Sequence, residues 1–100
     1  MSERIIASTT TPAGRTVLLT DRTWAHVVTE HFEMRGQLAA VLNALKTPDY
    51  YQVDARPGRE RYFKRAVGPD RWLRVVVQFR GDHDVVVAAF GQSSPPGTSR

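Results

Sequence analysis

At Pro48 the hydrophobic period of this chain changes, and that change sets the fold class. Upstream, Trp24, Val27, Val28 and His31 recur at i, i+3, i+4 and i+7, the spacing of one helical face. Thr20 or Asp21 can cap that helix, and Gly36 breaks the pattern. Leu38, Val41, Leu42 and Leu45 then repeat the spacing in a second helix over roughly Gln37–Lys46, with Lys46 complementing the C-terminal dipole. Downstream the residues alternate. Tyr50–Ala55, Glu60–Val67, Trp72–Arg80 and Val85–Phe90 read as strands, parted by turns at Pro57-Gly58, Gly68-Pro69 and Gly81-Asp82. Before the helices, Arg4–Ser8 and Arg15–Leu19 read as short strands around Pro12 and Gly14. The pattern predicts an α+β fold: two N-terminal helices packed on a four-stranded antiparallel meander, preceded by one or two short strands. One domain over residues 1–92 is expected, followed by a disordered tail over 93–100, where Pro95, Pro96 and Gly97 cluster.

The charge is uneven. The net value is +4, yet residues 56–80 alone carry net +6, with seven of their eight cations arginine. Arginine binds phosphate as a fork and stacks on rings, so the stretch suits a polyanion. It also suits a charged guard on a strand edge, or an acidic protein partner. Arg59, Arg65, Arg74, Gln78 and Arg80 are the candidate nucleic-acid contacts. The chain has no cysteine, which excludes disulfide scaffolds, thiolate metal sites and cysteine nucleophiles. Its longest apolar run, Val85–Phe90, is far short of the ~20 residues of a spanning helix, and no secretory signal pattern is present. A cytoplasmic protein without membrane partners is expected.

Three histidines are the main candidates for chemistry. His31 falls on the apolar face of the first helix, where it can act as an acid or base or pack as a core imidazole bonded to a carbonyl. His26 falls on the opposite side, beside Glu30 and Glu33, so the two cannot ligate one metal. No metal set and no cofactor motif is evident. His83, between Asp82 and Asp84, reads as a solvated turn residue. Tyr62 and Lys64 alternate on one face of their strand, expected to be accessible, with Arg61, Phe63 and Arg65 on the other and Phe63 facing the core. A histidine beside such cations can serve metal-free RNA cleavage: a base removes the 2′-hydroxyl proton, cations stabilise charge on phosphorus oxygens, and an acid protonates the leaving 5′-oxygen.

Several motifs together resemble a known family. Trp24-Ala25-His26-Val27-Val28 with Glu30-His31-Phe32-Glu33 resembles the W-x-H-I…H-P-E helix of the phage-type nucleases in the barnase, EndoU, colicin and RelE (BECR) superfamily. Pro48-Asp49 resembles their P-D, Arg61-Tyr62-Phe63-Lys64 their Y-Y-K strand, and Leu73–Val77 their L-x-V-V-V strand. Phe32 stands in place of the motif's proline, and Val86–Phe90 has Ala88 and Phe90 where the family has threonine and tyrosine. The resemblance implies a metal-independent endoribonuclease without cofactors, acting on RNA as a toxin-like module neutralised by a cognate antitoxin or inhibitor protein. It implies His26, His31, Tyr62 and Lys64 as catalytic residues, and Arg61 is added to the catalytic set as a phosphate and transition-state stabiliser. The missing strand hydroxyls leave an alternative: a weak or inactive member that binds RNA or protein.

Overall fold

The computed structural model describes residues 3–96. Among these, six strands form one sheet: β1 (Ile5–Thr10), β2 (Thr16–Thr20), β3 (Tyr50–Val53), β4 (Arg59–Arg65), β5 (Trp72–Phe79) and β6 (Asp84–Gln92). Two helices, α1 (Asp21–Glu30) and α2 (Leu38–Lys46), are joined through a 3₁₀ turn over Phe32–Met34. Thr20 ends β2 and opens α1 at once, because its hydroxyl accepts the Thr23 backbone N–H at 3.2 Å. Met34, fully buried, pins the 3₁₀ turn into the core. Ser93–Pro96 form no helix or strand, and the remainder of the expected tail, residues 97–100, lies outside the described residues.

The expected four-stranded antiparallel meander is not the architecture. The sheet has six strands in the order β1-β2-β6-β5-β4-β3 and is mixed, because β2 runs parallel to β6. The physical reason lies in β2. Val17 and Leu19 are almost completely buried, and a separate two-stranded hairpin has no second layer to bury them. Joining β6 gives them the helix-covered side of the main sheet. The junction is narrow, only Val17↔Asp84 and Leu18↔Val85. Asp84, 2% exposed, reinforces it by accepting the Arg15 fork at 2.7 and 3.5 Å. Beyond that junction α1 and the 3₁₀ turn lie against β6.

Register then decides which side chains face the helices. Tyr62, Val75 and Ala89 oppose one another across β4, β5 and β6, and they share a core with Val41, Ala44 and Leu45 of α2. A bulge in β6 leaves Val87 without an opposing residue between Val76↔Ala88 and Val77↔Val86. It lets Val86 and Ala89 face the helices while Ala88 and Phe90 face away, so a continuous apolar run serves both sides. α2 touches β1 near one end of the strand order and β4 and β5 toward the other, so the sheet curls around this helix.

The two leucines on the outer turns of α2 therefore differ. Leu45 is fully buried and Leu42 only half-buried. Leu45→Ala should lower unfolding free energy by roughly 2–5 kcal/mol, and Leu42→Ala by clearly less, in urea titrations of the two variants. Equal losses would contradict the way α2 faces the sheet.

Candidate nucleic-acid interface

The sheet face turned away from the helices carries rows of opposed residues. The central row is Tyr50, Phe63, Arg74 and Phe90, one from each of β3, β4, β5 and β6. The Arg74 guanidinium lies 5.2 Å from the Phe63 ring centre and 5.3 Å from that of Phe90, so two rings flank one cation. Its Nε is buried and, among the described residues, has no hydrogen-bond partner. Burial first, and then the neighbouring Arg61, lower the Arg74 pKa from its ordinary value, while Asp54 opposes them. On one side of this row Arg65 stacks on Trp72 at 5.5 Å. On the other, Arg61 donates to Asp54 at 3.1 Å and Gln52 at 2.8 Å. Arg59 donates to Gln78 at 2.8 Å, and Gln78 in turn holds the Gly58 carbonyl. Arg80 is exposed in the turn just beyond β5.

His31 reaches this row. The helical spacing places it inside α1, but α1 ends at Glu30 and His31 is its C-cap, with φ −132° and ψ 80°. Leaving helical geometry turns the ring off the core face. It stacks on Phe90 with ring centres 5.1 Å apart, and its side chain is 39% exposed. The nearest charged group is Glu33, 3.7 Å from Nδ1, rather than a backbone carbonyl. His26 is exposed on α1, with no hydrogen bond or ion pair among the described residues. His83 contacts Asp82 at 2.6 Å in its turn.

Tyr62 and Lys64 lie on the other, helix-covered face. Tyr62 is 4% exposed, packed in the core, and donates to Glu60 at 3.2 Å. The expectation that Tyr62 is accessible while Phe63 faces the helix core is thus reversed. Phe63 is completely buried, but beneath the cations of the open face. Lys64 donates to the Thr47 carbonyl at 2.6 Å, at the C-terminus of α2. Asp49 completes the clip: its N–H donates to the Phe63 carbonyl, and its carboxylate accepts the Arg65 N–H, both at 2.8 Å. The Pro48-Asp49 and Tyr62…Lys64 motifs thus have an architectural use, joining the end of α2 to β4.

The structure brings together His31, Arg59, Arg61, Arg65, Arg74 and Gln78, separates them from Tyr62, Lys64 and His26, and leaves Arg80 in the turn beyond β5. Sequence reasoning passed over the Tyr50 and Trp72 rings on this face and took Phe90 only as a departure from a family motif. Strict alternation does place Tyr50 with Phe63, and Trp72 with Arg74, but the β6 bulge hides the phase of Phe90. Among the described residues no cluster of three His, Asp or Glu side chains could hold a metal, and no helix is long and apolar enough to cross a membrane. No family model, curated protein or solved structure matches this chain.

Burial, and then the Glu60 charge, push the Tyr62 phenol well above its ordinary value of 10.0. The folded state therefore holds this proton more tightly than the unfolded chain. The resulting stability is fully present below about pH 10 and is lost as pH rises beyond it. Melting temperature should fall above about pH 10 in the wild type and less steeply in Tyr62→Phe, a residual slope coming from Tyr51, which is raised in the same way. Identical alkaline slopes would show that Tyr62 is not the linked group.

Proposed function

We propose that the open face of the sheet binds RNA and that His31, at the end of its central row, cuts it without a metal. The observation that carries this reading is Arg74, a cation held between two rings with a buried donor left unpartnered on the face that also presents His31. Nε itself is enclosed, so an anion would meet the terminal guanidinium nitrogens, and a phosphodiester oxygen supplies both the charge and the acceptor. Arg65 on Trp72 repeats the pairing of cation and ring beside it, and rings interleaved with cations suit unpaired bases joined by phosphates.

In this reading the His31 imidazole takes the 2′-hydroxyl proton as that oxygen attacks phosphorus. Arg74 and Arg65 stabilise the charge gathering on the non-bridging oxygens. The bond to the 5′-oxygen breaks, and the leaving oxygen takes a proton from solvent water, giving a 2′,3′-cyclic phosphate and a free 5′-hydroxyl. Glu33, beside Nδ1, orients the ring. A toxin-like role would make an inhibitor protein with an acidic surface the natural cover for this face. The burial of Tyr62 in the core and the engagement of Lys64 in the α2–β4 clip support the second reading, a module that binds RNA or protein on the same face without cutting.

RNA cleavage in excess EDTA is the decisive measurement. Wild type should cut, and His31→Gln should still bind and melt near wild type while losing roughly 10²–10⁴-fold in rate. Arg74→Ala should weaken binding and flatten its dependence on salt. Cleavage abolished by EDTA and restored by a divalent ion would overturn the mechanism. Binding without any cleavage selects the second reading, and unchanged affinity in Arg74→Ala removes the face from both.

A further inference from the structure

The opposite side of the sheet holds a cleft of about 440 Å³ where the curled sheet brings its two ends together. Pro12 and Ala13, from the turn between β1 and β2, form one wall. Pro48 at the end of α2 and the Tyr51 and Tyr62 rings form the other, and Glu60 supplies a carboxylate. The two tyrosine rings lie 5.3 Å apart at 60°, so the cleft offers ring surface on two inclined planes. Its charge is the reverse of the protein's. Arg15 also lines it, but that guanidinium is taken up by Asp84 and the Gly81 carbonyl and lies over the Phe79 ring at 4.7 Å. Lys64, which also lies near the end of α2, is committed to Thr47. What remains open is the Glu60 carboxylate, close to the negative end of a helix dipole.

We infer that this cleft receives an arginine side chain presented by a partner protein. A carboxylate has about four acceptor sites. Tyr62 uses one, and the neighbouring Tyr51 hydroxyl can use one more. That leaves a pair free for a guanidinium fork. Inclined tyrosine faces and prolines suit the flat guanidinium and its aliphatic stem better than a compact ammonium. A peptide-borne arginine fits better than the free amino acid, because Arg15, the cation that lines the cleft, is already paired with Asp84 and is not left to neutralise an α-carboxylate. Phosphate is disfavoured for the same reason, so this site is independent of the RNA-binding face.

The test is a titration of ¹⁵N-labelled protein with a capped Gly-Arg-Gly peptide, with Gly-norleucine-Gly and free arginine as comparators. The arginine peptide should give saturable shifts centred on Tyr51, Glu60 and Tyr62, with free arginine weaker and the norleucine peptide silent. Glu60→Gln should weaken binding by about tenfold or more, the loss expected when a charge-assisted hydrogen bond is removed. Tyr51→Ala, on an edge strand, should also weaken it while leaving the amide spectrum folded. No saturable shift, equal binding of the norleucine peptide, free arginine binding as tightly as the capped peptide, or affinity unchanged in both variants would overturn the proposal. None of these outcomes depends on whether the protein cuts RNA.

Discussion

The Arg15–Asp84 pair holds this fold together at its narrowest point. The hairpin of β1 and β2 meets the rest of the sheet through only two residues of parallel register, and one of them is Asp84. Its carboxylate is almost completely buried, so it must be matched, and the Arg15 fork matches it. With that junction in place Val17 and Leu19 reach the common core, the sheet curls around α2, and the hairpin turn arrives opposite Tyr51 and Tyr62. The cleft is therefore a product of the same contact that makes the sheet mixed.

What the sequence discloses depends on the kind of order each residue belongs to. The helices and the alternating strands are local, and the spacing of Trp24, Val27 and Val28, or of Leu73, Val75 and Val77, is enough to find them. The sixfold sheet is not local. Nothing in Thr16–Thr20 indicates that its partner is a parallel strand near residue 84 rather than a solitary neighbour. His31 shows the same limit at finer scale. A helical wheel puts it in the core, whereas ending the helix one residue earlier turns its ring toward Phe90. Most of the arginines singled out from composition do share one face, because alternation along β4 and β5 fixes them there. Tyr62 and Lys64 alternate just as regularly, but alternation alone does not say which face the helices cover.

The two faces of the sheet divide the chemistry of the molecule. The uncovered face keeps the Arg65 and Arg74 guanidiniums against rings, while Arg61 beside them is paired with Asp54. The covered face uses its cations internally, on a helix end and a buried carboxylate, and leaves an anionic cleft at the seam. Net charge conceals this division, since a value of +4 describes neither surface.

The junction between β2 and β6 also constrains the order in which the molecule can assemble. Val17 and Asp84 are 67 residues apart, so the first hairpin has to wait for the last strand. Closing so long a loop is slow compared with pairing the neighbouring strands β3 to β6. The antiparallel strands therefore form the early folding unit, and docking of the hairpin is the late step. Until then β2, whose five residues carry no charge, stands with the edge that later meets β6 unguarded, and association between chains competes with folding.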